Sequence, residues 1–156
     1  MQTLEYTTVD KTDWGPGEWQ IEPDKKQWQD AETGLPCLIV RGPSGALCGY
    51  VGVDSQHPYY NLEYNELPDD NDIEVHGGLS YSEFCQPSPI PSKGVCHLVE
   101  DGEDDKIWWF GFDCIHSGDY GPKMDKDHGP DGWRVYRNFA YVTNEVEQLA
   151  KLLKAV

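Results

Sequence analysis

The sequence predicts an α+β fold, with an antiparallel-leaning sheet of about five strands, a short N-terminal helix and a long C-terminal amphipathic helix. Three observations lead there. Two β-type runs, Pro36–Arg41 and Ala46–Val53, flank the turn Gly42-Pro43-Ser44-Gly45 and predict a hairpin. At the C-terminal end, Val135, Phe139, Val142, Val146, Leu149 and Leu153 recur at helical spacing. Between them the chain shows no internal repeat and no composition shift, so residues 1–156 read as a single domain.

In order, Leu4–Val9 suggests a short strand, and Trp14-Gly15-Pro16-Gly17-Glu18-Trp19 a turn bearing two tryptophans. Glu22 to Asp30, with Pro23 in its first turn, predicts a short helix closed by Thr33-Gly34. The hairpin follows. Gly49 and Gly52 inside its second strand point to close approach by another backbone or a ligand. Asp54 to Asn71 is a long irregular segment, of the kind that is usually functional when ordered. Asp72–His76 reads as a short strand, and Gln86–Lys93, with three prolines, as a linker within the fold. Val95–Val99 and Lys106–Phe112 predict a second hairpin around an acidic turn. Ser117 to Trp133 is another loop, and the final helix is expected over about Val135 to Leu153.

The formal net charge is −16, which disfavours direct binding to nucleic acid or to anionic membrane surfaces. Acidic clusters at Asp69–Asp72 and Glu100–Asp105 fit a solvated surface, and they also fit a mimic of a nucleic-acid backbone. The five cysteines, at 37, 48, 85, 96 and 114, include no C-x-x-C, so reduced thiols and no zinc knuckle are expected. No basic, apolar leader and no long apolar run is visible, so a soluble, cytoplasmic protein is expected.

The chemistry gathers at strand ends. Asp113, His116 and Asp119 stand three apart in Phe112-Asp113-Cys114-Ile115-His116-Ser117-Gly118-Asp119, a spacing that can converge an imidazole on two carboxylates. His76, Gly77, Gly78 and Ser80 form a second segment, whose glycines allow positive φ and expose backbone N–H groups. His57, held extended before Pro58, is a third. Trp108 and Trp109 project to opposite faces of a strand, so one ring is free to stack a base or sugar. Cations are scarce, which makes Arg41 and Arg137 candidates for an anionic ligand. Each segment alone is equally compatible with a turn, a packed loop or an ordinary salt bridge. Together they predict one pocket.

These segments resemble a largely uncharacterised family of phage and bacterial proteins. The resemblance rests on Glu22-Pro23-Asp24-Lys25-Lys26-Gln27-Trp28, Gly34–Arg41, Leu47–Val53, His57-Pro58, Val75–Ser80, Trp108–Asp113, His116, Gly118-Asp119 and Tyr136-Arg137 with Ala140-Tyr141-Val142. It implies a phage-type accessory protein that blunts bacterial defence, acting in the cytoplasm of an infected host. The expected activity is sequestration of a small nucleotide-derived signal, ADP-ribose-like or a cyclic nucleotide, with no cofactor. The ligand-binding set is His57, His76, Gly77, Gly78, Ser80, Trp108, Trp109, Asp113, His116, Asp119, Arg41 and Arg137. A metal-dependent hydrolase or phosphodiesterase is the alternative, with His76, His116, Asp113 and Asp119 as catalytic or metal-ligating residues and His57 assisting. An acidic DNA mimic is the third reading, and homo-oligomerisation is left open.

Overall fold

The computed structural model describes residues 3–85, 94–97, 106–127 and 133–156. Among them are six strands: β1 (Leu4–Tyr6), β2 (Lys25–Gln29), β3 (Pro36–Arg41), β4 (Leu47–Val53), β5 (Tyr81–Phe84) and β6 (Trp108–Asp113). They form one sheet in the order β1-β2-β3-β4-β6-β5, antiparallel throughout. A single α-helix among the described residues, α1 (Phe139–Lys154), lies across one face. The α+β class therefore holds, with six strands where about five were expected.

The hairpin β3–β4 forms as predicted, with Cys37 opposite Val51 and Arg41 opposite Leu47. Strand alternation sends Cys37, Ile39, Val51, Val53, Phe110 and Phe112 to the helix side, where Val142, Val146, Leu149 and Leu153 meet them. Leu38, Val40, Tyr50 and Trp109 occupy the reverse face. Gly49 is a point of close approach, made by side chains: a Cβ there would lie 2.6 Å from both Phe112 and Val146. At Gly52 a Cβ would meet Ile107 at 2.3 Å and Pro36 at 3.0 Å.

Several expectations are corrected. The helix predicted over Glu22–Asp30 is strand β2, whose Lys25 and Gln27 are buried on the reverse face while Trp28 joins the helix-side core. Pairing with β3 overrides its charged, helix-like composition. Asp72–His76 is not a strand. Ile73 and Val75 pack on the core, but the segment has no ladder partner and turns at His76-Gly77. The final helix starts at Phe139, not Val135, because Asn138 caps it by accepting the Tyr141 N–H at 2.8 Å. Val135 instead bridges to Asp119. The hairpin expected around the Glu100–Asp105 turn lies largely outside the described residues, as does Gln86–Lys93. Where β6 is described, it pairs with β4 and β5.

Cys85 and Cys96 form a disulfide, while Cys37, Cys48 and Cys114 are free. Five reduced thiols were expected, since a separation of 11 residues carries no signature of its own. The bond ties the end of β5 to the segment that passes His97 over Trp109. Closing a loop of this length is worth about 3 kcal/mol in the chain-entropy picture. Urea unfolding with and without reductant should show a loss of that order, abolished in Cys85→Ser/Cys96→Ser.

A buried ionic knot fixes the N-terminal segment. Asp24, fully buried, sits 2.6 Å from Lys11 Nζ and 2.7 Å from Arg41 Nε. Its other oxygen accepts the N–H groups of Thr8 and Val9. Among the described residues, no helix is long and apolar enough to cross a membrane.

Candidate functional site

The loop after β6, the turn after residue 75 and the first turns of α1 converge at one end of the sheet. Gly118 carries φ +90°, and the chain then pairs with Val135: the Val135 N–H donates to the Gly118 carbonyl and the Tyr120 N–H to the Val135 carbonyl. This bridge brings Asp119 beside Arg137 at the entrance to α1.

Asp119 is the hub. It is 4% exposed, and both its oxygens are occupied. Oδ2 accepts from His76 Nε2 at 2.7 Å and from the His116 N–H at 2.9 Å. Oδ1 accepts from Arg137 Nε at 2.9 Å. Burial alone would raise its pKa, but the bonds from His76, the His116 N–H and Arg137 outweigh that and hold it below the usual carboxylate value.

With Nε2 donating to Asp119, His76 turns Nδ1 to the Tyr141 hydroxyl at 2.8 Å. Tyr141 lies 3.2 Å from Glu145 Oε1, one helical turn on, so its single hydrogen has two acceptors. Burial, then Glu145, pushes the Tyr141 hydroxyl pKa up, which keeps it protonated at neutral pH. The Arg137 guanidinium lies over the Tyr141 ring at 5.1 Å.

His116 stands beside His76, ring centroids 5.9 Å apart. Its Nε2 is buried, 3.2 Å from Asp113 Oδ1 but out of hydrogen-bond alignment, and so has no hydrogen-bond partner among the described residues. Ser80 Oγ donates to Asp113 Oδ2 at 3.2 Å. Gly77 (φ +70°) fits against the imidazole, where a Cβ would lie 2.2 Å from His116 Nε2. Gly77→Ala would thus add ~1–2 kcal/mol of backbone strain and evict His116. Histidine-ring NMR should show the His116 resonances moved and those of His57 unchanged.

Of the predicted set, the structure brings together His76, Gly77, Gly78, Ser80, Asp113, His116, Asp119 and Arg137. Four predicted residues lie elsewhere. His57 is a structural clamp: Nδ1 accepts the Tyr59 N–H at 2.9 Å and Nε2 donates to the Leu153 carbonyl at 2.7 Å, tying its loop to the end of α1. Arg41 is committed to Asp24, the Gly45 and Pro23 carbonyls and the Tyr136 hydroxyl. Trp108 and Trp109 do face opposite sides of the sheet, but both are buried, so neither offers a free stacking face.

Tyr141, Glu145 and Trp133 were missed. Tyr141 and Glu145 carry an i, i+4 signal on the helix. Trp133 is 58% exposed, whereas the other five tryptophans are buried. It stacks under Arg134 at 4.9 Å and, with His116, Ser117 and Met124, lines an open recess of about 250 Å³. A second recess, of about 420 Å³, lies on the other side of His76 and is lined by the carboxylates of Asp72, Glu74 and Glu145.

Among the described residues, no three His, Cys, Asp or Glu side chains converge to hold a metal ion. No family model, curated protein or solved structure matches this chain.

Proposed function

We propose that the protein binds a small nucleotide-like ligand at the His76–His116–Asp119–Arg137 cluster, in keeping with a role in sequestering a nucleotide-derived signal of phage defence. One observation carries this reading: the cluster abuts a recess floored by the protein's exposed tryptophan, Trp133. Trp133 supplies a stacking face for a base. Arg134, paired with Asp125 at 3.0 Å, and the half-buried His116 supply polar contacts for ribose or phosphate. The ligand enters from this side because the carboxylates lining it, Asp119 and Asp125, are paired with Arg137 and Arg134, whereas the described lining of the recess beyond His76 has three carboxylates and no Lys or Arg and repels an anion. The N-terminus of α1, the usual anion site of a helix, is closed to it: Glu22 accepts the Phe139 N–H at 2.7 Å.

Acid–base catalysis on such a ligand is the second reading. Asp119, His76 and Tyr141 line up at 2.7 and 2.8 Å, the spacing of a proton relay. Binding ranks above it because three donors already engage Asp119, and the raised pKa of Tyr141 opposes its use as a nucleophile.

A thermal-shift panel of ADP-ribose, cyclic ADP-ribose and cyclic dinucleotides tests the proposal. At about a hundredfold excess over Kd, one member should raise Tm by roughly 5 °C or more. His116→Ala and Trp133→Ala should each lose the shift. No shift with any member overturns binding, and product formation in the same mixtures favours the catalytic reading.

A further inference from the structure

The reverse face of the sheet holds a recess separate from the cluster at Asp119, with a volume of about 380 Å³. That is within the roughly 300–1,000 Å³ usual for small-molecule sites, and it is more enclosed than the recess at Trp133. Val40 of β3, Tyr50 of β4, Trp14 and Pro43 line it. Cys48 also lines it. Burial, then the nearby Asp113, pushes that thiol up to about 11, so at neutral pH it is a small, largely apolar group.

Charge sets this recess apart. In a chain of net charge −16, the charged residues lining it among the described residues are two cations, Arg41 and Lys123, with no carboxylate among them. Arg41 is paired with Asp24 and Glu22. Lys123 is exposed and makes no ion pair among the described residues. Its backbone is pinned in place: the N–H groups of Lys123 and Met124 both donate to the Ser44 carbonyl, at 2.9 and 3.0 Å. Gly45 (φ +90°) allows this close approach, since a Cβ there would lie 2.7 Å from Lys123 N. The hairpin turn thus fixes the backbone from which the exposed Lys123 lines this hollow.

We infer that this recess is a second ligand site, which takes a small aromatic monoanion with its ring in the hollow lined by Trp14, Val40, Pro43 and Tyr50 and its carboxylate or sulfonate on Lys123. Ring burial supplies the affinity and the single unpaired cation selects for one negative charge. The site does not depend on the cluster at Asp119.

Calorimetric titration with 2-naphthoate, set beside the neutral isostere 2-naphthamide, tests it. One equivalent of naphthoate should bind, with the amide weaker by roughly tenfold. Lys123→Ala is a surface change that leaves the fold intact, and it should weaken naphthoate by a similar factor without altering the amide. Cys48→Phe fills the hollow and should abolish both. His116→Ala should leave naphthoate binding unchanged, so failure here is distinct from failure at the nucleotide site. Equal binding of acid and amide, unchanged affinity in Lys123→Ala, or no saturable binding at millimolar naphthoate overturns the inference.

Discussion

Asp24→Ala should cost about 3–5 kcal/mol, the range for removing one partner from a buried ion pair. Against the 5–15 kcal/mol of a typical domain, that leaves much of the chain unfolded. The effect is large because two cations depend on one carboxylate. Lys11 and Arg41 are 4% and 1% exposed at their side chains. Arg41 keeps Glu22 at 3.5 Å and several carbonyls, whereas Lys11 keeps only the Glu22 carbonyl at 3.0 Å among its described partners. The Thr8 and Val9 N–H groups lose their acceptor as well. Replacing Lys11 with Met in the same chain should recover part of the loss, since the stranded ammonium is then gone. Chemical denaturation of the single and double variants measures both numbers.

The same knot predicts acid sensitivity. Burial alone would raise the Asp24 carboxyl, but hydrogen bonds from Lys11, the Val9 N–H and Arg41 outweigh it and hold the group below its ordinary value of 3.8. Asp119 is depressed in the same way. A carboxyl with a depressed folded pKa binds fewer protons folded than unfolded. Its stabilisation is therefore complete above about pH 4 and is lost as the pH falls through the folded value. Stability should be flat with respect to these groups above pH 5 and should drop steeply below 4. In Asp24→Ala that acid limb should be shallower.

Asp119→Ala is the second large effect, and it separates fold from site. Three donors, His76, the His116 N–H and Arg137, lose their common acceptor. Arg137 is 27% exposed and can turn to water, so the stability cost is moderate, ~2–3 kcal/mol. Binding should suffer more than stability, because the His76 imidazole and the backbone that carries His116 both lose their anchor. Asp119→Asn retains one acceptor oxygen and should recover stability without recovering binding. Far-UV circular dichroism melts alongside the nucleotide panel distinguish the two.

How far these features were legible in the sequence depends on whether the signal was local. The β3–β4 hairpin is encoded by two apolar runs and a Gly-Pro-Ser-Gly turn, all within 20 residues, and it formed as expected. The register of apolar residues on α1 was equally plain, but its start depended on Asn138 acting as a cap. Strand β2 was misread because its lysines look like a solvated helix face. Lys25 is in fact buried, with Nζ donating to the Gly94 carbonyl across 69 residues, and no local pattern announces that. At the site, three strand-end segments were expected to meet and two of them did. His57-Pro58 has the same local look as His76-Gly77, yet His57 spends both nitrogens holding the end of α1. The tryptophans were weighed by strand alternation, which places Trp108 and Trp109 on opposite faces but cannot say that both faces are covered. Trp133 is the exposed ring, and it stands in a loop where alternation has nothing to say.

The most direct test of the site is a histidine-ring ¹H–¹⁵N spectrum recorded during titration with ADP-ribose and with cyclic dinucleotides. His57 and His97 serve as internal controls, because each has a ring nitrogen bonded to a backbone carbonyl, of Leu153 and Cys37 respectively. A ligand held at the Asp119 cluster should shift the ring nitrogens of His76 and His116 together, in saturable fashion, and leave His57 and His97 in place. Saturable binding that moves His57 or His97 while His76 and His116 stay still would contradict it.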